Sequence, residues 1–243
     1  MTQPGVYFAL DAPFVRIIGL FSNSLEDPGL ISSQKSQKNK WPAVPDYQLE
    51  FLSAQLEKIN KEKYAGAVIL ATHHPPFSYN VPPKSPSAGG NHGGSPEMLS
   101  EIDTICKNVG VYPHAFLSGH AHNYQRFARK IIFGKKKENF EVPFIICGDG
   151  GHNVNRMVRG RKGHPAQEPP FGISVKYLDS KPVVASNDLI LKHYDDQNYG
   201  YLRISVDESH LRIGFQHVGG PSVFQSRADM VTVELKSHTV IAN

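Results

Sequence analysis

Cysteine is scarce in this sequence, and long apolar runs are missing. Cys106 and Cys147 are the only two cysteines among 243 residues, and neither lies in a CxxC or Cys/His spacing. We expect both to be small buried hydrophobic side chains, while a disulfide between them stays open. No apolar run approaches the roughly 18 residues that span a bilayer, which excludes a membrane-spanning helix. A secretory signal is also missing, and the compartment stays undetermined.

The sequence lacks a strong excess of charge of one sign. Its formal net charge is +4, and the lysines and arginines lie in segments that also carry acidic residues. Nucleic-acid binding is therefore not implied. With 40% hydrophobic and 20% charged residues, the composition is that of an ordinary globular protein with enough length to bury a core. We predict one domain over residues 1–243.

The first half of the chain predicts alternating strands and helices. Strands are predicted at residues 6–10 and 14–21, as a hairpin, and at 67–71 and 115–117, with helices from Asp46 to about Lys61 and at 96–109. Asp46 is the predicted N-cap of the first helix. Polar or Pro/Gly-rich loops are predicted at residues 22–45 and 79–95. The pattern predicts an α/β architecture in which the strands before and after the second helix are parallel neighbours.

The second half predicts antiparallel β structure. Residues 127–133 and 140–147 form one predicted hairpin, residues 199–206 and 211–218 form another, and residues 230–235 alternate as a last strand. The fold class is therefore mixed, α/β in its first half and antiparallel β at its end.

Histidine is the residue type that indicates chemistry. Of 12 histidines, two pairs lie in the motifs HHPP at residues 73–76 and GHAH at 119–122, each just past a predicted strand. Adjacent parallel strands place their carboxyl ends side by side, so the two loops are expected to meet. Neutral imidazole is a common ligand for zinc and also suits iron. The sequence therefore predicts a metal site at these strand ends.

Three segments resemble a known family. They are THHPPFS at residues 72–78, LSGHAHNYQRF at 117–127 and QLEFL at 48–52, which are similar to calcineurin-like metallophosphoesterases, especially the purple acid phosphatase-like branch. The resemblance spans roughly residues 6–218. It implies a four-layer αββα sandwich and a metal-dependent phosphatase that hydrolyses phosphoric esters. Two divalent or trivalent ions, of zinc, iron or manganese, would activate a water molecule for this reaction.

The resemblance also assigns roles to individual histidines. It implies that His73 and His120 bind one metal and that His122 binds its neighbour. His74 and His92 are candidates for contacts to the substrate or to the ligands, because their rings can donate to phosphate oxygens or to a leaving group. Other histidines, including His152, are left with structural roles or without an assignment.

The family's DxH, GDxx and GNH motifs, which carry the carboxylate ligands, are expected upstream of HHPP and are missing there. Only a GNH at residues 90–92 occurs, and it follows HHPP. We therefore expect the C-terminal portion of such a domain, incomplete on its N-terminal side, and the activity of this portion alone stays open. The sequence leaves open a clipped enzyme, a chain that pairs with a second polypeptide, and a non-catalytic remnant that acts as an interaction module.

Overall fold

The computed structural model describes residues 1–22, 31–32, 46–78, 94–151, 153–155, 175–176, 189–218 and 227–241. Two helices are described, α1 (Tyr47–Glu62) and α2 (Pro96–Val109). The strands are β1 (Phe8–Ala12), β2 (Val15–Leu20), β3 (Ala67–Thr72), β4 (Ala115–Ser118), β5 (Tyr124–Phe133), β6 (Glu138–Cys147), β7 (Val175–Lys176), β8 (Leu189–Asp195), β9 (Tyr199–Val206), β10 (His210–Val218), β11 (Arg227–Glu234) and β12 (Thr239–Ile241). The fold is mixed α/β, dominated by strands.

The strands form two sheets. The large sheet has eight strands in the order β1-β2-β3-β4-β6-β5-β8-β7, and the small sheet has four in the order β12-β11-β10-β9. Within the large sheet β2, β3, β4 and β6 run parallel, and β1, β5, β7 and β8 pair antiparallel to their neighbours. The predicted parallel pairing of the strands on either side of α2 is confirmed, with Leu70 opposite Phe116.

Strand β3 shows why the large sheet is covered on both faces. Successive side chains of a strand point to opposite faces, so an apolar run such as AVIL buries both. Val68 and Leu70 pack in the cluster that also contains apolar residues of α1 and α2, whereas Ala67 and Ile69 pack against the small sheet. The described layers are helices, large sheet and small sheet. Among these residues, no helix covers the outer face of the small sheet.

The C-terminal end of α2 and the N-terminal end of α1 differ in how they are capped. Gly110 ends α2 at a φ of 82°, in the left-handed region that favours glycine, and its N–H donates to the Cys106 carbonyl. Asp46 is the N-cap residue of α1, as predicted, but its side chain makes no capping hydrogen bond. No helix in the described part of the chain is long and apolar enough to cross a membrane.

The predicted hairpins are confirmed, and the two strands of the β5–β6 hairpin are longer than expected. Strand β5 begins at Tyr124 and pairs with β6 along its whole length, and β9 pairs with β10. The sequence did not predict β8, which pairs with β5 as a further strand of the large sheet. Both cysteines are free thiols, and Cys106 is buried. The predicted loop at residues 79–95 lies almost entirely outside the described residues.

A largely buried ion pair joins the two sheets. Arg126 of β5 donates from Nε and a terminal nitrogen to the two carboxylate oxygens of Asp229 on β11, at 2.6 and 2.9 Å. The Tyr124 hydroxyl donates to the same carboxylate at 2.8 Å. Such bidentate charge-assisted bonds have a fixed geometry, so they set the position of the small sheet on the large one. Tyr124 and Arg126 therefore serve the packing between the two sheets.

Two stacked histidines make a second connection between the sheets. The rings of His114 and His238 lie 4.0 Å apart at an angle of 3°. His114 Nδ1 accepts the Val68 N–H at 3.0 Å, and its Nε2 lies 3.2 Å from the Leu235 carbonyl oxygen. Only the neutral ring with its proton on Nε2 satisfies both contacts, since protonated Nδ1 can no longer accept.

Acidic pH should therefore lower the free energy of unfolding, because of these two histidine rings. Burial lowers the pKa of His114 from 6.5 to about 4, and burial together with His114 lowers the pKa of His238 to about 3. The unfolded chain takes up these protons below pH 6.5 and the folded chain does not. The free energy of unfolding should fall between pH 6.5 and about 4, by about 1 kcal/mol per pH unit for each ring. Urea unfolding of wild type and His114→Gln/His238→Phe measures this slope. If the free energy of unfolding depended equally on pH in both proteins, the result would contradict the role given to His114 and His238.

Removal of one partner of the buried ion pair should also destabilise the protein. Arg126→Met leaves the Asp229 carboxylate buried without its cation, at an expected cost of about 3–5 kcal/mol. Lys130→Met, at an exposed position of the same strand, is the matched control and should cost less than about 0.5 kcal/mol. Adding Asp229→Leu to Arg126→Met should recover part of the loss in urea unfolding. Equal stability of the Arg126 and Lys130 variants would refute the role of the pair.

Candidate metal centre

The parallel strands of the large sheet end at one edge, and their loops build the candidate site. His73 and His74 follow β3, and His120 follows β4 after Gly119. The Gly119 N–H donates to the His73 carbonyl oxygen at 3.0 Å, which joins the two loops directly. The meeting of the HHPP and GHAH loops that the sequence predicted is therefore present in the structure.

Three histidines form a compact group. The possible ligand atoms of His73, His74 and His120 all lie within 4.8 Å of one another. The ring centroids of His74 and His120 are 4.2 Å apart, and His73 lies 5.0 Å from His74 and 5.2 Å from His120. Within the described part of the chain this is the one such group of histidine, cysteine or carboxylate residues, and it contains no carboxylate. Three imidazoles suit a borderline ion such as zinc.

The backbone at His120 is unusual for a residue with a side chain. Its φ is 64°, in the left-handed region, where L-residues other than glycine lose about 1–2 kcal/mol. The Ala121 N–H closes a tight turn onto the Gly119 carbonyl at 2.7 Å. Strain of this kind concentrates at functional sites, where the surrounding structure holds it in place. This turn directs the His120 ring toward the group instead of continuing β4.

The environments of the three rings differ. His73 is exposed, His120 is half-buried, and His74 is buried with 1% of its surface accessible. The His74 backbone N–H donates to the Ser22 hydroxyl oxygen at 2.9 Å, and His74 Nδ1 lies 3.0 Å from the same oxygen. Thr72 donates its hydroxyl to the His74 carbonyl at 2.7 Å. Solvent and substrate therefore have access to His73 but not directly to His74.

The remaining predicted site residues lie elsewhere or outside the described part. His122 is half-buried, and its Nδ1 lies 3.2 Å from the side-chain nitrogen of Asn155, whose backbone N–H donates to the His122 carbonyl at 2.7 Å. It is not a member of the group formed by His73, His74 and His120. His92 and His152 lie outside the described residues. The role of His92 therefore stays a prediction, and His152 stays without an assigned role.

Sequence reasoning overlooked an acidic side chain at the same edge. Asp149 follows β6 and is fully buried, and one of its oxygens accepts from the Cys147 thiol at 3.3 Å while the other, Oδ2, has no hydrogen-bond partner. Burial raises its pKa to about 6, and the nearby Asp195 adds to the shift. A Cβ at Gly148 would lie 2.1 Å from the Ala121 carbonyl oxygen, so only glycine lets this segment pack against the GHAH loop.

An aspartate on β8 and a histidine on β10 form a hydrogen-bonded pair that the sequence did not indicate. Asp195 is buried and accepts His217 Nε2 at 2.6 Å, together with the backbone N–H groups of Gln197 and Asn198 at 2.9 and 3.0 Å. The sequence indicates no role for His217 beyond that of an ordinary core or surface residue. The pairing of β8 with β5 places Asp195 opposite Tyr124 at the site edge. Only a prediction of that strand pairing could have indicated the Asp195–His217 pair from the sequence.

Comparison with known proteins rests on the fold alone. No family model matches the sequence, and no curated protein matches it significantly. Solved structures do match, among them a structure of PhoD with a TM-score of 0.57 at 12% sequence identity. The alignment covers 98% of this chain and 44% of the PhoD chain. The chain therefore shares the mixed α/β fold of a part of PhoD and spans less than half of its length.

Proposed function

We propose that this chain supplies the histidine side of a metal-dependent site that hydrolyses phosphoric esters. The observation that carries the proposal is the group of His73, His74 and His120 at the carboxyl ends of two adjacent parallel strands. The likeness in fold to the metallophosphoesterase PhoD supports the same conclusion. The site would catalyse the hydrolysis of an ester bond, and its substrate would be a phosphoester.

The finer assignments follow from the resemblance to the purple acid phosphatase-like branch. His73 and His120 would bind one ion and His122 a second, and His74 and His92 are the candidates for contacts to the substrate or to the ligands. Ions of zinc, iron or manganese held there would supply the chemistry of orienting the phosphate, lowering the pKa of a water molecule and stabilising the attacking and leaving oxygens. The four-layer αββα sandwich belongs to this proposal too.

The chain's own residues prepare the site before any ion binds. The turn at Gly119 fixes the His120 ring, and the Gly119 bond to the His73 carbonyl fixes the second loop relative to the first. Pro75 stiffens the chain after the histidines, which lowers the entropy cost of holding His73 and His74 in place. Exposed His73 faces solvent, so a phosphoester can approach the site from that side.

One observation favours a non-catalytic alternative, an interaction module. The histidine group contains no carboxylate among the described residues, and a bridging carboxylate is what a two-metal site of this family requires. Asp149 follows β6 at the same edge, but it is fully buried, and the neighbouring Gly148 packs against the GHAH loop. Metal binding without hydrolysis is the result that this alternative predicts.

Metal content and turnover distinguish these functions. Purified protein, loaded with zinc, iron or manganese, should hydrolyse p-nitrophenyl phosphate above the buffer rate and lose this activity on dialysis against a chelator. His120→Asn keeps a residue that tolerates positive φ but changes the ligand, and it should lower both bound metal and rate by at least about tenfold. His210→Asn, remote from the site on the small sheet, is the control.

Two outcomes would contradict the proposal in different ways. Stoichiometric metal with no hydrolysis of p-nitrophenyl phosphate or bis(p-nitrophenyl) phosphate would support the interaction module instead. Activity that survives both chelation and His120→Asn would place the reaction away from the histidine group.

A further inference from the structure

The segment that follows β2 contributes a residue that contacts the histidine group. No sequence motif indicates this residue. Ser22 lies two residues past the end of β2, and none of its surface is accessible. Its hydroxyl oxygen contacts His74 twice, through the backbone N–H at 2.9 Å and through Nδ1 at 3.0 Å. Ring and backbone of one histidine are therefore fixed by a single buried oxygen.

The position of Ser22 is itself fixed by helix α1. The buried Gln48 side chain accepts the Phe21 N–H at 2.7 Å and donates to the Phe21 carbonyl at 2.9 Å. Both backbone hydrogen-bonding groups of Phe21, the residue before Ser22, are thus held by one amide. Such paired bonds restrict rotation of the chain, so Ser22 cannot turn away from His74 without breaking buried hydrogen bonds.

The Ser22 hydroxyl can pair with His74 Nδ1 either as an acceptor from Nδ1–H or as a donor to unprotonated Nδ1, and the first arrangement is the one that suits a metal ligand. A hydroxyl oxygen has two acceptor sites. One accepts the His74 backbone N–H, and the second can accept a proton carried by Nδ1. A ring with its proton on Nδ1 keeps its lone pair on Nε2, the nitrogen on the opposite side from Ser22. Histidines that bind metals are oriented in this way, by a hydrogen bond from the second nitrogen to an oxygen.

We propose that His74 is a third metal ligand beside His73 and His120, binding through Nε2, and that Ser22 is the positioning residue that sets its tautomer. The inference rests on the proposed metal site, but not on hydrolysis. It changes the role of His74 from a substrate contact to a ligand, which its burial supports. It also makes the first ion independent of His122, whose Nδ1 lies beside Asn155.

The tautomer can be measured without metal or activity. Long-range proton–nitrogen NMR correlations of the ¹⁵N-labelled, metal-free protein at pH 7.5 should show His74 protonated on Nδ1 and unprotonated on Nε2. Ser22→Ala should remove this preference. A His74 ring that carries its proton on Nε2 in the wild-type protein would overturn the role of Ser22.

Cobalt binding tests the ligand set. Co²⁺ is titrated into metal-free protein against a competing chelator, and its visible absorption reports ligand number and geometry. We expect His74→Ala to change the spectrum and weaken binding at least about 100-fold, and Ser22→Ala to weaken it about 10–100-fold, within the range of lost orienting partners. Ser22→Thr, which restores a hydroxyl, should recover part of the affinity.

The controls separate this inference from the proposed function. Thr232→Val removes a buried hydroxyl from the small sheet and should leave Co²⁺ affinity unchanged. His122→Ala should retain the first ion with its wild-type spectrum. A wild-type spectrum and affinity in His74→Ala, with loss in His122→Ala, would overturn the inference and leave the two-metal proposal standing. A wild-type protein that binds no Co²⁺ would overturn both.

Discussion

Parallel pairing of four strands in the large sheet is the constraint on which the site depends. β2, β3, β4 and β6 point the same way, so their carboxyl ends meet at one edge. Ser22, His74, His120 and Asp149 each follow one of these strands within three residues. Residues far apart in the sequence are therefore brought together by backbone hydrogen bonds that involve none of their side chains.

Packing on both faces of this sheet maintains that alignment. The helices cover the face that contains Leu70, and the small sheet covers the face that contains Ile69. Arg126 and Asp229 fix the small sheet in one position, because their bidentate bonds tolerate little displacement. The histidine loops thus extend from a sheet that is held on both sides, which suits a site whose ligand atoms must stay within a few ångströms.

Local patterns predicted the parts of the fold that depend on local physics. The apolar run at β3 and the period of α2 gave the βαβ unit, and that unit brought the HHPP and GHAH motifs together. The role of Ser22 could not be predicted, because serine is common in loops and its contact with His74 spans 52 positions of the chain. Asp195 and His217 were missed because β8, which positions Asp195, lies among segments without a clear strand pattern.

The central claim is that His73, His74 and His120 bind a metal ion together. Crystals of the protein grown with zinc, with diffraction data collected on both sides of the zinc absorption edge, test it most directly. The account predicts an anomalous peak at bonding distance, about 2.0–2.1 Å, from one nitrogen of each of the three rings. No peak at this strand edge, or a peak bound by His122 without His74, would contradict it.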